Sequence, residues 1–150
     1  MPAKAPTDAV VTAWTRLVRA QNAVLGAVEA DLKAAGFPAL EWYDVLLELK
    51  RAGEAGLRPF EFEGRLLIAQ HNVSRLLDRL EKAGLVERRR HEQDGRGQVV
   101  VVTAAGLDLQ RSMWPVYQQA IQRHVGCKLD GVEAERLGVL LGKLLGAGPP

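Results

Sequence analysis

Apolar residues recur at three- and four-residue intervals at the start of the chain: Val10, Trp14, Leu17, Val24, Leu25, Val28 and Leu32. That spacing gathers them on one side of an α-helix, which Thr7 or Asp8 can cap and which is expected to run to about Ala35. Gly36-Phe37-Pro38 breaks it. A second helix is predicted from Leu40 to Arg51, with Tyr43, Leu46, Leu47 and Leu49 as its apolar set, ending near Gly53 and Gly56. Pro59 suits the first turn of a third helix, to about Leu67, with Phe60 and Leu66 in the core.

From Gln70 the pattern is sharper. Val73, Leu76, Leu77, Leu80 and Ala83 gather on one side of a helix, and His71, Ser74, Arg75, Asp78 and Lys82 on the other, with Arg79 at the margin. Gly84 stops it where a left-handed residue is wanted. Leu85 and Val86 open a strand continuing through Arg88, Arg89 and Arg90. The loop His91 to Gly97, with Asp94-Gly95 and a second glycine, suits a hairpin reversal into Gln98 to Thr103. Thr103 can cap a fifth helix, Ala104 to about Val125, which Pro115 should bend. Asp130-Gly131-Val132-Glu133 reads as a capping box for a sixth, with a stripe of Leu137, Leu140, Leu141, Leu144 and Leu145.

The expected fold is therefore mainly α with a small β-hairpin wing, a winged helix-turn-helix of about six helices. An amphipathic helix with a cationic face, followed directly by a basic-tipped hairpin, is a layout that grips DNA. The chain reads as a single domain over residues 1–150. Its DNA lobe is expected at about 40–103 and its dimerisation region at about 7–35 and 104–147, because the terminal helices carry more apolar length than one small core can cover.

Composition changes this picture little. With 150 residues, 47% apolar and 25% charged, the chain is globular. The formal net charge is only +2, so affinity for DNA must come from where the cations sit. Between Arg75 and Arg96 seven lysines and arginines face five acids, a small excess even there. No apolar run approaches a membrane span, no signal peptide is read at the start, and one cysteine, Cys127, forms no internal disulfide, which agrees with a cytoplasmic location.

The run NVSRLLDRLEKAGLVERR, the tripeptide Asp94-Gly95-Arg96 and the sequence VTAAG from Val102 to Gly106 resemble the MarR family of bacterial transcriptional regulators. The resemblance spans the chain and implies a homodimeric repressor, binding double-stranded DNA at an inverted repeat and released by a small, often aromatic or anionic effector. It assigns minor-groove insertion to Arg96, with Asp94 holding the wing. Two departures stand out. Ala69, where the family commonly has a serine cap, cannot cap the recognition helix. Glu63-Gly64 replaces the usual alanine of the preceding helix.

Candidate DNA contacts follow. Arg75 can pair bidentately with guanine, Gln70 or Asn72 with adenine, and His71 and Ser74 lie in the first turns, where base edges are reached. Asn72 ranks lower, being toward the buried flank. Asp78 could accept from cytosine or hold Arg75 or Lys82. Arg79, Arg88 and Arg90 are candidates for phosphates, although alternation along the strand keeps the arginines of 88 to 90 from all meeting the same ones. Trp14, Trp42, Tyr43, Asp44, Trp114 and Tyr117 are candidate walls of an effector pocket where the dimerisation helices meet the DNA lobe, although each taken singly reads first as core or interface packing.

Other classes fit less well. Walker, G-x-G-x-x-G, G-x-S-x-G and H-E-x-x-H motifs are absent, so no enzyme and no cofactor are expected. His71, His91 and His124 lack mutual metal-ligand spacing, and no metal site is expected. A thiol sensor at Cys127, beside Lys128 and three residues after His124, and a winged-helix module for protein contacts are the alternatives.

Overall fold

The computed structural model describes residues 2–68, 70–90 and 97–146. Five α-helices and one hairpin are described: α1 (Asp8–Ala34), α2 (Leu40–Ala52), α3 (Val73–Lys82), β1 (Val86–Arg90), β2 (Gln98–Val102), α4 (Ala104–Ile121) and α5 (Gly131–Leu144). The caps are those the sequence signals. Val10 N–H donates to Thr7 Oγ1 (3.2 Å), Gly106 N–H to Thr103 Oγ1 (3.1 Å), and Asp130 and Glu133 cap one another reciprocally. Pro115 lies inside an unbroken α4, which gives way at Gln122–Gly126 to a wider π turn closed by Cys127 N–H on Gln122 O at 2.7 Å.

The expected third helix is a correction. It is a single 3-10 turn, Pro59–Phe62, entered through its N-cap Arg58, whose backbone N–H donates to Glu61 Oε2 at 2.8 Å. Phe60 and Phe62, two residues apart, project to different sides of such a turn. Phe62 is fully buried, whereas Phe60, expected in the core, is 68% exposed. Only Leu66 follows Phe62 toward the core, and with Gly64 between them the chain has little reason to continue a helix.

The chain forms two compact units. The first comprises residues 32–116, and its core joins Val45, Leu46, Leu49, Leu57, Phe62, Leu76, Leu77, Leu80, Leu85, Val86 and Val100. β1 and β2 pair antiparallel, Val86 with Val102 and Arg90 with Gln98. Leu57 adds a bridge to Val100, exchanging two backbone hydrogen bonds of 2.9 and 2.7 Å. The left-handed Gly56 is required there, because a Cβ at that position would run into the Val100 carbonyl.

The second unit comprises residues 1–31 and 117–150. Within it Asp31 Oδ2 meets Arg123 Nη1 at 3.0 Å and His124 Nε2 at 2.9 Å. Its apolar side chains are poorly covered. Val10, Val11 and Trp14 on α1, and Val132, Leu137, Val139, Leu140 and Leu144 on α5, are all exposed. Among the described residues no helix is long and apolar enough to cross a membrane.

Candidate nucleic-acid interface

The polar face of α3 is set by the burial of its other side. Leu76, Leu77 and Leu80 are buried, Val73 is half-buried, and Ser74, Arg75, Asp78, Arg79 and Lys82 are exposed, as the periodicity demands. Ala83, expected on the apolar side, is exposed at the helix end. The helix starts later than the sequence reading has it. Asn72 is its N-cap, with Oδ1 accepting from Arg75 N–H at 3.0 Å, so Gln70 and His71 precede the helix instead of lying in its first turn. Ala69, the position flagged for its missing cap, lies outside the described residues, and Asn72 supplies the cap three positions on. The helix ends in a Schellman motif, with Leu85 N–H on Leu80 O at 3.0 Å, Gly84 N–H on Glu81 O at 2.9 Å and Gly84 at φ +77°.

The segment leading into this cap is held from below. Asp44, nearly buried on α2, accepts from Ile68 N–H at 3.0 Å. Burial raises its carboxyl above the ordinary value; the backbone N–H groups of Ile68 and Leu67 oppose the rise, Glu48 adds to it, and Arg51 opposes it. Folded Asp44 therefore takes a proton more readily than unfolded Asp44. Its contribution to stability grows as pH falls through the folded-state value, and the ionised form is a cost near neutrality. Asp44→Asn, which keeps an oxygen for Ile68, is expected to melt above the parent near neutral pH, with the gain shrinking as the buffer is acidified. A gain that stays constant with pH would locate its origin elsewhere.

The wing is tied to α3 by Arg88. Its Nη1 lies 2.7 Å from Asp78 Oδ1 and 3.6 Å from Glu81 Oε1, with the guanidinium half-buried while Arg89 and Arg90 stay exposed. Of the roles open to Asp78 in the sequence, the structure shows a different one: it pairs across to the hairpin. We expect a double-mutant cycle of Arg88→Ala and Asp78→Ala in urea unfolding to show coupling of about 0.5 kcal/mol, modest because Asp78 is largely in water. Additive losses would mean that the pair contributes nothing. Arg79, Arg88 and Arg90 thus do not form one surface: Arg88 is occupied by the helix, and the other two face solvent. His91, Asp94 and Arg96 lie outside the described residues.

The candidate effector residues divide between the units. Tyr43 and Trp114 stack in the first unit, centroids 6.2 Å apart and planes 18° from parallel, and Gln110 Nε2 donates to the Tyr43 hydroxyl at 3.2 Å. Trp42 packs partly buried on the same core. Trp14, 65% exposed, and the half-buried Tyr117 belong to the other unit. Cys127 is exposed, its Sγ 3.8 Å from Gln122 Nε2. Among the described residues no group of three or more His, Cys, Asp or Glu side chains is placed to hold a metal ion.

A capped helix with an exposed polar face, a preceding turn on α2 and a two-stranded wing strapped to it define a winged helix-turn-helix. Residues 35–97 match the model of the MarR family. No curated protein matches the sequence. The whole fold is shared with solved structures. Sco3205, a MarR family transcriptional regulator from Streptomyces coelicolor in complex with DNA, is 22% identical with a TM-score of 0.86, covering 99% of this chain and 93% of its own. A mutant MarR from E. coli complexed with operator DNA is 24% identical with a TM-score of 0.77, over 94% and 99% of the two chains. AbsC, a MarR family transcriptional regulator from Streptomyces coelicolor, is 24% identical with a TM-score of 0.80, over 95% and 96%.

Proposed function

We propose that the protein is a DNA-binding transcriptional regulator acting as a homodimer, a repressor that reads an inverted-repeat operator and is released by a small-molecule effector. The observation that carries this reading is the exposed first turn of α3, with Ser74 and Arg75 on a cap-defined start and the wing fixed beside it. In such a frame Arg75 reads a base edge from the major groove, Gln70 and His71 approach the groove or its phosphates from the turn before it, Arg79 and Arg90 meet phosphates, and Arg96 with Asp94 serves the minor groove. Asn72 and Arg88 act by positioning. That Sco3205 and the E. coli protein were each solved on DNA supports the reading, since their folds superpose on nearly the whole chain.

Dimerisation is supported by the uncovered leucines and valines of α1 and α5, which a second copy would bury. Two copies would place paired helices on successive turns of a duplex, about 34 Å apart. The test is titration of fragments of the source genome at several salt concentrations, with mass measured by light scattering. A dimer with a preferred sequence and a steep loss of affinity with salt is expected. A monomer that discriminates no fragment would sink the reading and leave a module for protein contacts.

A further inference from the structure

At the foot of the wing the flat face of a guanidinium covers a glycine. Gly97 stands one position outside the last paired rung of the hairpin, Arg90 with Gln98. A Cβ built on it would lie 3.5 Å from Arg58 Nη1, 3.6 Å from Cζ and 3.9 Å from Nε. The central carbon is thus nearer than one nitrogen and almost as near as the other. An approach along an edge, or onto a single N–H, would leave that carbon the farthest of the three, so Gly97 meets the plane itself.

The backbone carrying this guanidinium is fixed from both sides. Leu57, the residue before it, exchanges two backbone hydrogen bonds with Val100 of β2. Pro59, the residue after it, restricts Arg58 to the extended conformation it has, φ −77° and ψ 149°. Its N–H donates to Glu61 Oε2, and its carbonyl accepts from Glu61 N–H at 2.9 Å. The strand ladder supports the wing as far as Gln98. The half-buried Arg58 carries that support one residue further, from the turn that precedes α3.

We propose that Arg58 is a positioning residue for the wing: its planar face against Gly97 fixes how β2 leaves the body of the winged helix, and with it the reach of the wing toward a minor groove. The consequence for DNA rests on the regulatory reading above, whereas the platform itself does not. Shape is the property at issue, since a lysine at 58 would keep the cation and lose the plane. Gly97 offers the converse change. Its φ lies outside the left-handed region and an added Cβ would make ordinary contacts, so alanine fits there and would enlarge the area resting on the guanidinium.

Two measurements on the intact protein test this. In the free protein, Arg58→Lys and Arg58→Ala are both expected to lower the amide order parameters of Gly97 and Gln98 by about 0.1 or more, on a scale where rigid backbone gives about 0.85, with Val100 unchanged. Gly97→Ala is expected to raise them, and to raise them less in the Arg58→Lys background, a coupling that general damage to the fold could not give. With the fragment preferred in the genomic titration, Arg58→Lys is expected to bind about two- to fivefold more weakly and to lose sensitivity to exchange of flanking A·T pairs for G·C, at unchanged salt dependence. A lysine variant that binds like the parent, beside an alanine variant that loses affinity and about one counterion of salt dependence, would make Arg58 a phosphate contact and overturn the proposal. So would order parameters at Gly97 and Gln98 that neither variant moves. A parent that prefers no fragment would sink the regulatory reading alone, and the order parameters would still decide the platform.

Discussion

Gly106→Ala is expected to lower the melting temperature by about 6–12 °C, on a cost of about 3 kcal/mol at two to four degrees per kcal/mol for a chain of this size. The glycine sits in the first turn of α4, and a Cβ there would collide with the Leu85 carbonyl, with Val102 Cγ2 at 2.7 Å and with Leu46 Cδ2 at 3.1 Å. The carbonyl is not free to retreat. It accepts from Thr103 N–H at 3.0 Å, while the Thr103 hydroxyl donates to Gly84 O at 2.7 Å and accepts from Gly106 N–H. A methyl group at 106 therefore attacks the junction where the Schellman turn after α3, the end of β2 and the cap of α4 meet. Because self-association would make the melting point depend on concentration, parent and variant must be compared at equal protein concentration. A shift below about 2 °C would show that the junction relaxes around the added carbon.

That junction also explains why the VTAAG stretch is informative in the sequence. Threonine is there as a cap and hinge between strand and helix, and glycine because two backbones touch, so neither is replaceable by a residue of similar polarity. Periodicity made most of the rest legible. The stripes of α1, α2, α3 and α5, the glycine stop at Gly84, the two strands and the capping box at Asp130 are local patterns, each fixed by residues within four positions of one another.

What the sequence left obscure depends on contacts between distant positions or on competition between neighbours. The stretch after Pro59 contains enough apolar residues for a helix, but Phe60 and Phe62 cannot both face the core, and burial of Phe62 decided the outcome. The start of α3 was legible in principle, since Asn72 immediately precedes the first apolar position and ranks among the strongest caps. Counting Gln70 and His71 into the helix obscured it. The Arg88–Asp78 pair joins residues ten apart on a strand and a helix, and alternation identifies which side of the strand Arg88 takes without identifying the acid it meets. The cleft lined by Lys50, Glu54, Val101 and Arg111 draws on α2, the hairpin and α4 at once, and no spacing rule reaches that far.

Arg75→Ala is the substitution expected to affect function most while leaving the fold intact. Arg75 is exposed, and among the described residues its side chain makes no ion pair, so the charge is available to an external partner. Its backbone N–H bonds to the Asn72 cap, and that bond survives truncation to alanine, itself a strong helix former. Melting should therefore stay within about 0.5 kcal/mol of the parent. If Arg75 forks onto a guanine, its loss should weaken operator binding by about 1–3 kcal/mol, roughly five- to 150-fold, with a much smaller effect on random duplex. The ratio between the two affinities is the diagnostic quantity, because a phosphate contact would lower both alike and reduce the salt dependence by about one counterion. Asn72→Ala gives the necessary contrast. Losing the cap should cost about 1 kcal/mol of helix stability and blur binding through misplacement of the whole first turn, so its melting point must fall along with its affinity. An Arg75→Ala protein that keeps the parent's preference for operator over random DNA would remove this side chain from the reading surface, and with it the proposed docking of the first turn of α3 in the major groove.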